Sequence, residues 1–166
     1  MRTLLIGGAL GVLVAVSLAA CGGSSTSSSE RTLQRQADLD AIDQIEKTWH
    51  RATSTQNIDL MMSLWAPNAT FTVGPGQTLT GMKQIRRFWL KAPVFQPKNH
   101  WVSETPAYKI RITVNGDRGT LYFECHYVDP KTRKVVKVTA ADQQVARING
   151  RWLVTNHVGA TPTLTP

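Results

Sequence analysis

The first residue whose surroundings suggest chemistry is Asp142. Between Val136 and Ile148, the alternate positions Val136, Val138, Ala140, Asp142, Gln144, Ala146 and Ile148 share one face of a strand. The apolar majority turns that face inward, which places Asp142 and Gln144 inside. A buried polar group needs a partner or a ligand, because leaving it without a hydrogen bond is costly. Partial desolvation raises a carboxyl pKa and suits it to exchange protons near neutrality. Asp142 is therefore the candidate acid/base group, with Gln144 beside it. Cys125 lies on the apolar alternation Leu121, Phe123, Cys125, Tyr127, and such a thiol is expected to be packed and inert. His126 then points to the opposite face.

Several chemistries are not signalled. The chain has no phosphate loop, no paired-cysteine motif, no HExxH and no nucleophile elbow. No metal or cofactor is expected. The 166 residues set a prior of one domain, and 42 % hydrophobic with 18 % charged residues is a globular composition. The formal charge is +8, and most Lys and Arg fall between residues 83 and 151. A basic surface points toward anionic lipid headgroups or other polyanions as neighbours, or serves solubility alone. Nucleic acid is not expected as a partner.

Residues 1–20 read as an export signal: Met1-Arg2, then an apolar run from Leu4 to Ala20. Leu18-Ala19-Ala20-Cys21 resembles a lipobox, the site at which bacteria attach diacylglycerol to a cysteine and cleave before it. Cys21 is the expected lipidation site and membrane lipid the expected partner through it. The expected location is the outer surface of a cell membrane or an outer membrane. Each buried methylene contributes about 0.8 kcal/mol, and two acyl chains hold a protein where one barely does. Residues 22–29 are all Gly, Ser or Thr, so 21–35 reads as a flexible tether. With Cys21 so used, Cys125 is the single cysteine of the domain at 36–160, and 161–166 is a tail. The core must hold the domain without a disulfide.

The elements that would position these residues follow from period. Leu39, Ile42, Ile45, Trp49 and Ala52 mark one face of a helix over 36–54. Leu60, Met61, Leu64 and Trp65 suggest a second helix. Thr70 to Val73 reads as a short strand, closed by Gly74-Pro75-Gly76. Met82, Ile85, Phe88 and Trp89 form the apolar face of a third helix, opposite Lys83, Arg86, Arg87 and Lys91. Thereafter the period is two, through strand-like runs at 101–102, 109–114, 120–128, 135–148 and 152–158. Asn115-Gly116 and Asn149-Gly150 are favoured hairpin turns. The expected fold is α+β, with three N-terminal helices packed on a curved antiparallel sheet.

The order of these elements, with particular words in it, resembles the SnoaL-like branch of the nuclear transport factor 2-like superfamily. The words are Ala66-Pro67-Asn68-Ala69-Thr70-Phe71, then Gly81 with Ile85 and Phe88, then Asn149-Gly150-Arg151-Trp152. The resemblance spans residues 36–160. It implies a cone-shaped fold with a pocket at its open end, and frequent homodimers. Trp49, Trp65, Phe71, Val73, Trp89 and Gln144 are the pocket residues it suggests, although Trp49, Trp65 and Trp89 also fit core stripes. In isomerase members a carboxylate stands near Val73 and a tyrosine near Trp49, so this chain lacks that chemistry. Lys98-Asn99-His100-Trp101 is similar to a dehydratase word, which makes His100 a second proton-transfer candidate. In polyketide cyclase-like members a late strand carries an acid/base aspartate, which matches Asp142.

Three functions stay open at this point: binding of a small hydrophobic molecule; a cofactor-free isomerase, dehydratase or cyclase using Asp142 with His100; or a dimeric envelope module without catalysis. The lipobox-like run makes one expectation directly testable. Cys21→Ser should abolish incorporation of a radiolabelled fatty acid and leave unprocessed precursor. Label retained on the serine variant would reject Cys21 as the acylated residue.

Overall fold

The computed structural model describes residues 27–103 and 107–164. The expected signal, Cys21 and residues 22–26 of the expected tether lie outside these residues, whereas 28–35 of that tether are helical. Helix α1 (Ser28–Ser54) begins with a reciprocal cap: Ser27 Oγ accepts from Glu30 N, and Ser27 N donates to the Glu30 carboxylate. The helix thus starts eight residues before the expected domain boundary, and its first two turns are exposed. After it come α2 (Ile58–Met62), β1 (Trp65–Gly74), β2 (Gln77–Thr80), α3 (Gly81–Lys91) and a 3₁₀ turn at Pro93–Phe95. The remainder is β3 (Val102–Ser103), β4 (Ile110–Asn115), β5 (Arg118–Asp129), β6 (Lys134–Ile148) and β7 (Arg151–Ala160).

The fold is α+β, with helices packed on a seven-stranded sheet of order β2-β1-β7-β6-β5-β3, and β4 also pairing with β5. Two expectations need correction. The three helices are not consecutive, because the β1–β2 hairpin separates α2 from α3. The sheet is mixed, because β1 runs parallel to β7, with Phe71 beside His157. Trp65, expected in a helix, opens β1 instead: α2 is only five residues long and Ser63 ends it. Elsewhere the periods and the structure agree. Asn149 and Gly150 both have positive φ (50° and 77°), as a tight two-residue hairpin turn requires.

The core lies between α1 and the concave face of the sheet. Ile42, Ile45, Trp49 and Ala52 of α1 pack with Leu121, Phe123, Val145 and Val154. The same helix face also buries Asp38, Glu46 and His50. Asp38 accepts from Arg147 Nη2 at 2.7 Å, Trp152 Nε1 at 3.3 Å and Gln34 Nε2 at 3.0 Å. Glu46 Oε1 accepts from Ala107 N at 2.7 Å. Asp38 thus ties the helix to β6 and β7, and Glu46 ties it to the segment before β4.

Gly119 of β5 is hemmed in by the β4 backbone, by Ile42 of α1 and by Val145 of β6. A Cβ there would collide with the Thr113 carbonyl oxygen and stand 3.3 Å from both Ile42 Cδ1 and Val145 Cγ2. Backbone cannot give way as a flexible side chain can. Gly119→Ala should therefore destabilise the domain by about 1–3 kcal/mol. The lowered midpoint in thermal or urea unfolding would measure this, and an unchanged midpoint would show that the β4 backbone can shift aside without cost.

Candidate functional site

A cavity of about 390 Å³ opens between the helices and the concave sheet face. α1 contributes Trp49. β1 contributes Phe71 and Val73, and α3 contributes Phe88 and Trp89. The strands contribute Phe123, Cys125 and Tyr127 from β5, Lys137, Thr139 and Ala141 from β6, and His157 from β7. Lys137 is the one charged side chain among the described lining residues, and it is exposed. A volume of this size suits a small organic molecule. A second hollow, lined by Thr113, Asn115, Arg118, Thr120, Gln144 and Thr155 among others, has no aromatic lining residue.

Trp49 is the hub of the aromatic wall. Its ring stacks on His157 (5.2 Å between centroids, 3° between planes) and meets Trp89 and Phe123 edge-on at 5.1 and 5.6 Å. Phe71 adds an edge contact to His157 at 4.4 Å. Such offset and edge-on pairs each add a modest stabilisation beyond the area they bury. Gln143 Nε2 lies 3.1 Å from His157 Nδ1. An amide NH₂ can only donate, so Nδ1 accepts and the imidazole proton sits on Nε2. Burial lowers the His157 pKa to about 3, and the ring stays neutral.

A polar chain crosses the core behind this wall. Cys125 Sγ lies 3.1 Å from His50 Nε2. His50 Nδ1 lies 3.3 Å from Glu46 Oε1, with both side chains at most 1 % exposed. Burial pushes the Cys125 thiol up to about 12, while the hydroxyls of Ser103, Thr139 and Tyr127 act in the opposite direction. Burial likewise raises Tyr127 well above its ordinary value. It also raises Glu46, against the hydrogen bond from Ala107. Among the described residues, no group of three or more His, Cys, Asp and Glu is placed to hold a metal ion.

The residues singled out from sequence divide sharply. Trp49, Phe71, Val73 and Trp89 line the cavity. Trp65 is buried, stacked on Phe71 at 5.6 Å, but is not among the lining residues. Asp142 and Gln144 are corrected: both are exposed, and Asp142 sits opposite Tyr122 on the convex face. The concave face of β6 carries the odd positions Lys137, Thr139, Ala141, Gln143 and Val145, which pair with the buried row of β5. The even face looked like the core because its valines and alanines outnumber its polar residues. His100 is also outside the cavity, half exposed, with Nε2 3.3 Å from Asp129 Oδ2. His126 lies on the convex face, stacked on Tyr108 at 4.7 Å.

Sequence reasoning missed Phe123, Cys125, Tyr127, Thr139 and His157 as cavity residues. The alternation of β5 already turned the first three inward. Pairing β5 with β6 straight back from the Asp129–Lys134 turn would have set Val138 opposite Cys125 and turned Asp142 inward; the register shift between Tyr127 and Val128 brings Thr139 there instead and sets Asp142 outside.

A family model described as a SnoaL-like domain matches residues 34–158. No curated protein sequence matches the chain. Among solved structures, the chain is similar to an NTF2-like protein with a cystatin-like fold from Novosphingobium aromaticivorans (TM-score 0.69, 14 % identity, covering 84 % of this chain and 92 % of that one). It is also similar to a candidate scytalone dehydratase from the same organism (TM-score 0.65, 12 % identity, 81 % and 90 %). A third is an NTF2-like protein of unknown function from Pseudomonas putida (TM-score 0.64, 15 % identity, 76 % and 88 %). These likenesses show the fold.

The buried neutral His157 has a consequence for acid stability. In the unfolded chain its imidazole titrates near the ordinary 6.5, whereas the folded value is about 3. Below pH 6.5 the unfolded chain gains a proton that the folded chain refuses. Its contribution is complete above pH 6.5 and is lost as pH falls toward 3, by up to about 1.4 kcal/mol per pH unit. His157→Gln should flatten this acid slope in urea-unfolding series measured across that range. An unchanged slope would show that the imidazole takes up a proton in the folded state.

Proposed function

Since the chain belongs to the SnoaL-like family, we propose that it binds a small, ring-containing hydrophobic molecule in the aromatic cavity. The observation that carries this is the lining itself. Trp49, Phe71, Phe88, Trp89 and Phe123 supply flat apolar walls, and the buried imidazole among them is uncharged. Transfer of apolar surface from water into such a site contributes roughly 25 cal/mol per Å². Tyr127, Thr139 and His157 offer a few polar atoms that would orient the guest. An acid/base mechanism through Asp142 and His100 has no support, because neither side chain reaches the cavity.

The same reading places the domain outside the cytoplasm, tethered to a membrane by lipid on Cys21. Its support is the apolar run and the cysteine that follows it. A homodimer formed through the convex sheet face is a second proposal. Val102, Val135 and Val158 are exposed large apolar side chains there, and light scattering of the purified protein tests it.

Binding can be followed through the tryptophans. A neutral aromatic such as naphthol should quench their fluorescence saturably. Val73→Phe, which narrows the cavity, should weaken binding by about tenfold or more, equivalent to roughly 1.4 kcal/mol, with little change in melting temperature. Quenching that neither saturates nor responds to Val73→Phe would reject the cavity as the binding site.

A further inference from the structure

A cavity that only encloses an apolar molecule makes no use of the polar chain behind its wall. Cys125 lines the cavity, and its sulfur stands 3.1 Å from His50 Nε2. His50 comes from α1, 75 residues away in sequence. On its other side, one helical turn earlier, Glu46 Oε1 lies 3.3 Å from Nδ1. All three residues are at most 2 % exposed. An apolar trio of the same volume would fill this space without the cost of desolvating a carboxylate and an imidazole. The order thiol, imidazole, carboxylate is the arrangement in which a base takes a nucleophile's proton and a third group orients the base.

We propose that Cys125 is a nucleophilic site in the cavity wall, with His50 as its base, and that it adds to small apolar α,β-unsaturated carbonyl compounds. The proposal rests on the binding reading above, since the compound must first enter the cavity. At rest the thiol keeps its proton, because burial disfavours the thiolate. The S–H therefore donates to His50 Nε2, and the single proton of the neutral imidazole is on Nδ1, on the side of Glu46. In the reaction the sulfur attacks the β-carbon and the carbon–carbon π bond opens to an enolate. The thiol proton passes to Nε2; His50 lies behind the cavity wall, so the α-carbon takes its proton from solvent and the imidazolium gives one back to solvent. One S–H bond and one π bond are lost, one C–S and one C–H bond are gained, and no further reactant is needed. Charge developing on sulfur is opposed by burial and by the Glu46 charge, and favoured by the side chains of Ser103, Thr139 and Tyr127. A soft, uncharged electrophile fits both the sulfur and the aromatic wall. Glu46 acts through the imidazole and is a positioning residue.

The test uses the full-length chain and 2-cyclohexenone, with the adduct found by intact mass and assigned by peptide mapping to Cys125 rather than Cys21. The native protein should be modified at Cys125 near neutral pH at least as fast as the same chain unfolded in guanidinium. His50→Gln should slow the native reaction on the order of a hundredfold, as loss of a general base does. Glu46→Gln keeps an acceptor for Ala107 N; it should slow the reaction and shift the imidazole nitrogen-15 resonances of His50. Saturated cyclohexanone should occupy the cavity, alter tryptophan fluorescence and protect Cys125. A native rate on the order of a hundredfold below the unfolded rate would identify a packed inert thiol and overturn the proposal, without reliance on any variant. If cyclohexanone binds but no adduct forms, the thiol proposal fails and the binding reading stands. If neither ligand binds or reacts, both fail. An adduct that ignores cyclohexanone, or that survives both His50→Gln and Glu46→Gln at full rate, would also overturn it.

Discussion

The seating of α1 on the concave sheet face is the constraint from which the rest follows. At Gly119 the helix faces bare backbone, and a side chain there would meet the Thr113 carbonyl first and crowd Ile42 and Val145. One turn before this contact Asp38 is tied to Arg147 and Trp152, and one turn after it Glu46 is tied to Ala107. These three fastenings fix the height and rotation of the helix. Trp49 and His50 lie further along the same helix, so their positions are set by contacts made elsewhere. Trp49 then becomes one wall of the cavity and His50 the neighbour of Cys125.

The far end of α1 does not close down on the sheet in the same way. Phe71, Phe88 and Trp89 interpose themselves from β1 and α3, and the helix-to-sheet gap there is bounded by large rings. Rings packed edge to face hold a wall without filling the space in front of it, because each is supported by its neighbours and not by a guest. The close contact at Gly119 and the open cavity are thus two ends of one wedge-shaped interface.

Much of this was legible in sequence, and the failures share a cause. Asn149-Gly150 dictated the β6–β7 hairpin locally, and Asn115-Gly116 marked the β4–β5 hairpin, whose loop is Gly116-Asp117 because Asn115 pairs with Arg118. The helix faces of α1 and α3 followed from spacing. What failed depended on partners distant in sequence. Trp65 has a helix-compatible spacing, but its strand pairs with Val154. The parity of β6 is set by its ladder with β5, where the register shifts between Tyr127 and Val128. Counting apolar residues on β6 alone therefore selected the convex face and with it Asp142. Asp38 and Glu46 carried no structural signal in the sequence, because their partners, Arg147, Trp152 and Ala107, are 61 to 114 residues away. Four of the cavity residues were found because large apolar side chains are inward whatever their partners. Cys125 and His157 gained meaning only beside His50 and Gln143.

The parallel pairing of β1 with β7 bears on how the chain acquires its shape. Thr70 lies beside Asn156, and Phe71 beside His157, so the sheet joins the first strand to the last. A chain made from its N-terminus forward has α1, α2 and the β1–β2 hairpin long before their partner exists. Until β7 arrives, β1 is an edge that presents unpaired backbone groups, and the cavity lacks its imidazole wall. Long-range pairings of this kind slow folding, because the loop between them must close before the contacts form. The domain is therefore committed to fold as a whole and late, and loss of its last strand would leave the first one exposed to association with other chains.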